Sequence, residues 1–527
     1  MYRTLEQRLR RLSAAGLSAA LAEGQRGVEK ESLRVDPRGC IAMTPHPRRL
    51  GSALTHPRIT TDYSEALLEL ITGPDADLGD TLAELQRLHA FTYDCIGDEL
   101  LWATSMPCII DAAAVPIADY GSSNIGRMKH VYRHGLAWRY GKAMQCISGV
   151  HFNFSVAESL WPAMAKMEGH EGPLRAYQDQ RYFDLIRNFQ RYGWLLPYLF
   201  GASPALCKSF MREPPEGFEA FDRGTWFVPH ATSLRMSDIG YKNSNQSSLS
   251  ICYNDLDRYV ERLTRAIETP SPDYAAIGVQ VDGEWRQLNA NLLQIENEYY
   301  SFVRPKQVIE SGEKPTLALK RRGVRYVEIR ALDVGTFDPL GVNRSQLRFI
   351  EVLLNFCLLH DSPAVSDDEQ RQMEINQRLV ATRGREPGLA LCRDGAPVKL
   401  RDWGLEILDE LLPIAEAMDA SDGSDERRRA IAWQVERLRD PDLTPSAITL
   451  ATMRDAGERF SDFALRMSQE HRTWFLDHPL SAAEAAACAA QAEISLGSQR
   501  ELEAGDAPPF EDFLAQYFAQ GGGVAGA

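Results

Sequence analysis

The stretch that decides the fold is GVEKESLRV, residues 27–35. Its period-2 alternation predicts a β-strand with Glu29 and Glu31 on one face, because successive side chains of a strand point to opposite sides. Val28 and Lys30 fall on the other face. A lone pair of glutamates is more often part of a solvated strand face than of a site. Further strands with the same alternation are needed before this pair of glutamates indicates a functional site.

Three more segments show the same alternation of apolar and ionisable residues: SGVHFNFSV (148–156), LQIENEYY (293–300) and RYVEIRAL (325–332). Their predicted polar faces carry His151, Glu298 and Glu328. We interpret all four segments as strands of an antiparallel sheet with one face packed on helices. Polar faces open to bulk water are one alternative. Aromatic residues among the carboxylates and a helix-rich remainder favour an enclosed polar trough.

The segment HPRITTDYSEALLELITGP, residues 56–74, adds three carboxylates, Asp62, Glu65 and Glu69. Glu69 lies in an apolar run, where an unpaired charge is costly to bury. A bound cation would offset that cost, and a salt bridge to an arginine or lysine is the alternative. Clustered carboxylates with one histidine and no thiolate suit hard divalent ions, of which Mg²⁺ with a nucleotide is the commonest case.

Basic residues for an anionic substrate occur in two segments. Residues 122–141 predict a helix that carries Arg127, Lys129, Arg133 and Arg139, although a solvated basic face is equally open. Arg235 and Tyr241 lie in a Ser/Asn-rich stretch, where a substrate carboxylate could be clamped. Residues 121–128 lack the Lys and Ser/Thr of a phosphate-binding loop. A nucleotide is therefore expected to bind through metal ions on the sheet.

The whole-chain properties exclude several classes of protein. A net charge of -15 over 527 residues argues against a nucleic-acid partner. The nine cysteines show no paired or metal-ligand spacing, which fits a reducing cytoplasm. No apolar run approaches the roughly 20 residues that cross a bilayer, so no membrane association is expected.

Two main regions are predicted along the chain, in an α+β arrangement. Residues 1–345 form a catalytic antiparallel-sheet core with covering helices. Residues 346–520 form a helical region packed on that core, and residues 521–527 form a disordered tail. The helices expected in the second region are 345–360, 367–381, 404–418, 425–438, 447–467 and 481–492.

Eight segments from residue 27 to about 340, taken together and in order, resemble the proteobacterial glutamate-cysteine ligases. They are GVEKESLRV, HPRITTDYSEALLELIT, LWATSMPC, IGRMKHVYRHGLAWRYG, SGVHFNFSV, TSLRMSDIGY, LQIENEYY and RYVEIRALD. The resemblance implies a glutamine-synthetase-like fold, in which a curved antiparallel sheet forms a funnel surrounded by helices. It also implies that ATP phosphorylates the γ-carboxylate of L-glutamate and that the amine of L-cysteine then displaces phosphate, the first step of glutathione biosynthesis.

The same resemblance implies roles for individual residues. Two or three Mg²⁺ ions, replaceable by Mn²⁺, would be held by Glu29, Glu31, Asp62, Glu69, His151 and Glu328. Arg330, together with Glu328, would act in catalysis by stabilising the transferring phosphoryl group. The amino-acid sites would be lined by Tyr63, Tyr132, Arg133, Gln145, Arg235, Tyr241 and Tyr300. Tyr63 belongs to the thiol-side pocket, where the family usually has Phe.

Glutathione is expected to inhibit the enzyme as a product analogue, and the protein is expected to be a monomer. Three alternatives remain at this stage. The chain could be a related carboxylate-amine ligase that uses another amine, or a non-catalytic nucleotide or amino-acid sensor. It could also be a guanidino kinase-like phosphotransferase, which would release no inorganic phosphate.

Overall fold

The computed structural model describes residues 3–107, 111, 113–211, 213–240, 249, 251–505 and 508–521. Tyr241 and residues 522–527 of the predicted tail lie outside them. The strands are β1 Gln25–Val35, β2 Ile59–Thr61, β3 Leu67–Ile71, β4 Leu100–Leu101, β5 Gly149–Ser155, β6 Ala205–Cys207, β7 Glu219–Ala220, β8 Thr225–Phe227, β9 Gln280–Val281, β10 Glu284–Trp285, β11 Val303–Lys306, β12 Tyr326–Asp333, β13 Ala390–Arg393 and β14 Ala396–Lys399.

The helices surround the strands and fill most of the C-terminal region. They are α1 Arg3–Ala14, α2 Leu78–Cys95, α3 Asn124–Tyr140, α4 Leu160–Met167, α5 Leu174–Tyr192, α6 Leu195–Phe200, α7 Leu256–Glu268, α8 Pro272–Ile277, α9 Pro315–Arg322, α10 Arg344–Leu359, α11 Asp367–Arg383, α12 Leu400–Asp422, α13 Glu426–Arg439, α14 Pro445–Ala456, α15 Phe460–Asp477, α16 Ala482–Gly505 and α17 Phe510–Ala519. None of the described helices is long and apolar enough to span a membrane.

The main sheet is antiparallel and has seven strands, in the order β11-β12-β5-β1-β3-β2, with β4 pairing with the end of β1. The register sets Glu29 opposite His151 and Glu31 opposite Glu69. Glu328 on β12 lies opposite a β5 residue, Asn153. Because side chains alternate along each strand, these polar groups share one face. The α+β prediction is confirmed.

The opposite face of the sheet is the main apolar core. Val28, Phe152 and Ile329 are fully buried in it, and helices α2 and α5 pack near β1 and β12. Lys30 shares this face, as predicted from the alternation, and its Nζ lies 3.1 Å from Nε2 of His89. Burial lowers the pKa of Lys30 to about 7.

The strand prediction for residues 293–300 is wrong. Glu296–Glu298 forms a single 3₁₀ turn. The Glu298 carboxylate accepts hydrogen bonds from the Gln294 backbone N–H at 2.6 Å and from the Arg139 guanidinium at 2.9 Å. These side-chain hydrogen bonds stabilise a local turn in place of a strand ladder.

The C-terminal region is mainly helical, with three differences from the predicted pattern, one of which is that α17 is not among the predicted helices. The predicted helix 447–467 is two helices, because Gly457 ends α14 in the left-handed conformation, at φ 65°. A hairpin, β13 with β14, separates α11 from α12. Core residues of α10 and α12, Leu353 and Ile407, belong to the same apolar cluster as Val28 of β1. The boundary at residue 345 stays a prediction.

Candidate active site

Three side chains at the centre of the polar sheet face form a candidate metal centre. Glu29, His151 and Glu328 each offer one ligand atom, and these atoms all lie within 4.8 Å of one another. His151 Nδ1 is 3.3 Å from Glu29 Oε2 and 3.8 Å from Glu328 Oε1. The three residues come from β1, β5 and β12, so pairing of the strands assembles the group.

Glu31 and Glu69 extend this acidic group toward β3. Glu31 Oε1 lies 3.7 Å from His151 Nε2, and its Oε2 accepts the backbone N–H of Gly149 at 2.6 Å. Burial raises the pKa of Glu31. Burial also raises the pKa of Glu69 well above its ordinary value, and the neighbouring Glu29 and Asp62 raise it further. These carboxyls therefore hold protons readily unless a cation balances their charge.

Glu29 and Glu328 behave differently because they face positive or hydrogen-bonding groups. Burial alone would raise both pKa values, but each is lowered. Burial is the largest single influence on each pKa, but for Glu29 the hydrogen bond and charge of His151 and the charge of Lys306 together outweigh it. For Glu328 the nearby positive charges, chiefly Lys306 and Arg330, together outweigh it. Arg330 Nη1 is 3.1 Å from Glu328 Oε1, and Lys306 Nζ is 3.4 Å from Oε2. Both carboxylates are thus held in the charged form that a metal ligand requires.

The donor set fits a hard divalent cation. It consists of carboxylate oxygens and one imidazole, a combination suited to Mg²⁺ or Mn²⁺. Among the described residues, His151 Nε2 is buried with no hydrogen-bond partner. A buried nitrogen of this kind is costly without a partner, and a cation would supply one. Because the pKa values of Glu31 and Glu69 are raised, a bound cation would compete with protons at these carboxyls.

A cavity of about 90 Å³ lies beside the acidic cluster. A cavity needs about 10 to 15 Å³ of such volume to hold one water, so this cavity has room for a small molecule. Its lining includes eight of the residues that the sequence analysis singled out: Glu31, Asp62, Tyr63, Tyr132, Arg133, Gln145, Tyr300 and Arg330. Glu31 and Arg330 also contact residues of the candidate metal centre, so the cavity and the candidate metal centre share a wall.

The cavity wall is braced by hydrogen bonds among its own residues. Arg133 Nε donates to the backbone carbonyl of Asp62, and its guanidinium stacks 4.6 Å above the ring of Tyr120. Gln145 and the Tyr300 hydroxyl lie 3.3 Å apart. The ring of Tyr63 is buried, and its hydroxyl has no hydrogen-bond partner among the described residues. The cavity therefore offers a fixed cation and several polar groups.

Arg235 is close to the site without lining the cavity. Its Nη2 donates to the backbone carbonyl of Arg330 at 3.1 Å, and the side chain is 1% exposed. A Cβ added at Gly149 would overlap the Arg235 guanidinium. Gly149 therefore allows Arg235 to approach the sheet. Tyr241 lies outside the described residues, although the preceding Gly240 lines the cavity.

Several charges that the sequence placed in the trough have structural partners elsewhere. Glu298 and Arg139 form a fully buried ion pair at 2.9 Å. Arg127 stacks on Phe510 with 4.4 Å between the guanidinium and the ring centre. Glu65 accepts the backbone N–H groups of His46 and Asp119. Of the four basic residues predicted on the helix over residues 122–141, Arg133 lines the cavity.

Two polar residues of the cluster were not assigned to the site from the sequence. Asn153 Nδ2 donates to Glu29 Oε1 at 2.7 Å, and Lys306 pairs with Glu328. Asn153 stands on the predicted polar face of its strand, so the alternation did contain that signal. Lys306 comes from β11, an edge strand that contains Pro305, and proline weakens a strand pattern in sequence.

The comparisons with known proteins agree on one family. The glutamate-cysteine ligase family profile matches residues 9–380. The chain is 51% identical over 516 residues to glutamate-cysteine ligase from Pseudomonas paraeruginosa, covering 98% of each. It is 50% identical over 523 residues to the Azotobacter vinelandii enzyme, covering 98% of this chain and 99% of that one. The crystal structure of Francisella tularensis glutamate-cysteine ligase in complex with AMP superposes with a TM-score of 0.91 at 39% identity, covering 95% and 99%.

Proposed function

The chain belongs to the glutamate-cysteine ligase family, and from that premise we propose that it joins L-glutamate to L-cysteine through a γ-glutamyl phosphate formed from ATP. Family membership makes it a ligase of the first step of glutathione synthesis. The fold is the glutamine-synthetase-like fold, with an antiparallel sheet covered by helices. The observation that carries the proposal is the Glu29, His151 and Glu328 group beside a small polar cavity.

A carboxylate is a poor acyl donor, so the γ-carboxylate of glutamate must gain a leaving group. In the proposed reaction it attacks the γ-phosphorus of ATP, giving the acyl phosphate and ADP. The cysteine amine then attacks the acyl carbon, and inorganic phosphate leaves with the bonding electrons. The amine loses a proton as the amide forms.

The acidic cluster supports the first step. Glu29, Glu31, Asp62, Glu69, His151 and Glu328 are proposed to hold the metal ions, which when bound offset negative charge on ATP and on the carboxylate. Arg330 lies beside Glu328 and at the cavity wall. Its guanidinium would stabilise charge on the transferring phosphoryl group as a fixed cation.

The cavity supports recognition of an amino acid. We assign it to cysteine, because the resemblance places Tyr63 in the thiol-side pocket and Tyr63 lines the cavity. Tyr132, Arg133, Gln145 and Tyr300 would contact the substrate there. Arg235 and Tyr241 complete the proposed amino-acid sites, with the arginines pairing with substrate carboxylates.

Several finer properties are part of the same proposal. The enzyme would use two or three Mg²⁺ ions, accept Mn²⁺ in their place, and act as a cytoplasmic monomer. Glutathione would inhibit it, because this product analogue carries the same γ-glutamyl group. Residues 1–345 would carry the chemistry and residues 346–520 would support them.

The test is an assay of ADP and phosphate release with ATP and Mg²⁺. Turnover should require both glutamate and cysteine, and the Arg330→Gln variant should lose it. Arg325→Gln, at an exposed position just before the same strand, is the matched control and should keep it. Turnover with another amine but not with cysteine would favour the related-ligase alternative. Absence of any turnover would favour a sensor.

A further inference from the structure

The C-terminal residues 508–520, which include α17, lie against the outer side of the cavity wall. Phe510, Leu514 and Tyr517 are buried in a small apolar cluster with Met128 and Val131 of α3. This cluster is separate from the main core beneath the sheet. We name residues 508–520 the C-terminal clamp.

The clamp is fixed to α3 by polar contacts as well as by apolar burial. Asn124 Nδ2 at the start of α3 donates to the carbonyl of Pro508 at 2.9 Å. The guanidinium of Arg127 lies 4.4 Å above the ring of Phe510. On its inner side, α3 carries Arg133, and Tyr132 both lines the cavity and packs against the clamp cluster.

The clamp is also linked, through Lys314 and Thr316, to the 296–298 turn, another part of the cavity wall. Lys314 Nζ donates to the carbonyls of Phe518 and Gln520, at 2.8 and 3.1 Å. Two residues later, the Thr316 hydroxyl donates to Glu296 at 2.5 Å. Glu296 begins the 3₁₀ turn that contains Asn297, which lines the cavity. A chain of direct contacts therefore joins the clamp to this turn.

The clamp thus contacts the first half of α3, whereas the last turn of α3 is joined directly to the 296–298 turn by the buried ion pair of Arg139 with Glu298. The helix α3 and the 296–298 turn each bring polar residues to the cavity, and their spacing sets the shape of the pocket. Side chains that position a substrate must be held firmly by their supporting shell, because small displacements cost binding. The candidate metal centre is instead formed by residues of the strands β1, β5 and β12.

From these contacts we propose that the C-terminal clamp is a positioning element for the amino-acid cavity. It holds the first half of α3 in place, and it acts on the substrate through Tyr132 and Arg133. The proposal rests on the assignment of this cavity to cysteine. Loosening the clamp should weaken cysteine binding while leaving the use of Mg²⁺ and ATP unchanged.

The test compares Leu514→Ala and Phe510→Ala with Gln516→Ala, a matched control at an exposed position of α17. The first two variants should raise the KM for cysteine by about 3- to 30-fold, the usual range for a coupling of this kind. The KM for ATP and the Mg²⁺ activation constant should stay unchanged. Phe510→Leu, which keeps an apolar side chain, should restore much of the cysteine affinity, and Gln516→Ala should match the wild type.

Hydrogen exchange of the α3 amides provides a readout that does not depend on activity. Exchange should speed up in Leu514→Ala and not in Gln516→Ala, because the clamp covers α3. The proposal is overturned if folded Leu514→Ala and Phe510→Ala keep the wild-type KM for cysteine. It is also overturned if the KM for ATP rises equally or if both variants unfold globally. Absence of cysteine-dependent turnover in the wild-type protein would overturn the proposed function. Hydrogen exchange of the α3 amides would still test whether the clamp holds this helix in place.

Discussion

Glu29 and His151 face each other across β1 and β5, with Glu29 Oε2 3.3 Å from His151 Nδ1. The other oxygen of Glu29 accepts a hydrogen bond from Asn153 at 2.7 Å. Both oxygens are therefore oriented by neighbours on the adjacent strand. A ligand held in this way loses little further freedom when a cation binds, which favours a preorganised metal centre.

Replacing Glu328 by Gln should abolish ligation while leaving the fold intact. The amide keeps the shape of the side chain but removes the charge that Arg330 and Lys306 now face. We expect at least about a 100-fold loss of kcat, because even outer-sphere partners of metal ligands are worth about 10- to 100-fold. The assay is ADP release at saturating Mg²⁺, with circular dichroism to follow the fold. The exposed Glu158→Gln is the control, and near-wild-type turnover by Glu328→Gln would remove this carboxylate from the metal site.

Replacing Gly149 by Ala should raise the KM for an amino-acid substrate more than the KM for ATP. The new methyl group would displace the guanidinium of Arg235 and disturb the hydrogen bond from Gly149 N–H to Glu31. The Arg235→Ala variant should raise the same KM, because both changes act on the guanidinium of Arg235. Gly497→Ala, in a helix with open space around it, is the control. An unchanged amino-acid KM in Gly149→Ala would contradict the role of Arg235.

Replacing Tyr63 by Phe should stabilise the fold and increase the preference for cysteine. The Tyr63 hydroxyl is buried without a hydrogen-bond partner among the described residues, and such a group costs about 1 to 3 kcal/mol. Turnover with cysteine should rise relative to 2-aminobutyrate, which lacks the thiol, because Phe is the residue that the resembled family usually has in this pocket. Tyr120→Phe is the matched control, because the Tyr120 hydroxyl donates to the carbonyls of Thr61 and Asp62. The free energy of unfolding of Tyr120→Phe should fall. Equal changes in the free energy of unfolding and in cysteine preference in both variants would contradict the assignment of Tyr63 to the thiol-side pocket.

Replacing Lys30 by Met should stabilise the protein, most strongly near neutral pH. Burial lowers the pKa of Lys30 from 10.5 to about 7. Between these values the unfolded chain binds a proton that the folded chain lacks, so this residue destabilises the fold less as the pH rises. At pH 7 the expected gain for Lys30→Met is about 3 kcal/mol, allowing for the lost hydrogen bond to His89.

Urea unfolding at pH 7, 8 and 9 measures this difference. The advantage of Lys30→Met over the wild type should shrink from the first pH to the last. The exposed Lys166→Met provides the control and should show no such trend. A constant difference across the three pH values would mean that Lys30 stays charged inside the folded protein.

Much of the site could be predicted because strand alternation is a local property of the sequence. Residues 27–35, 148–156 and 325–332 each carry an apolar face and an ionisable face, and the structure forms a strand in each. A side chain on a strand has only two directions, so the residues that share a face follow from the order of residues alone. For this reason the alternation alone assigns Glu29, His151 and Glu328 to polar strand faces.

Residues 293–300 have a similar alternation but form a 3₁₀ turn at Glu296–Glu298 and no strand. Their apparent polar face consists of Glu296 and Glu298, but each carboxylate binds a partner far along the chain. Glu296 accepts a hydrogen bond from Thr316, and Glu298 pairs with Arg139. Distant partners of this kind are set by packing, which a periodic pattern does not contain.

By itself, the sequence determined the alternation that puts carboxylates on one side of each strand, the helical C-terminal region and the family resemblance. Only the tertiary structure decided which polar residues meet. Pairing of β11 with β12 brought Lys306 to Glu328, and packing between distant segments buried Glu298 with Arg139 as a separate ion pair and placed α17 behind α3. The physical reason is that side-chain direction is fixed locally, whereas ion pairing and burial depend on distances between segments far apart in the chain.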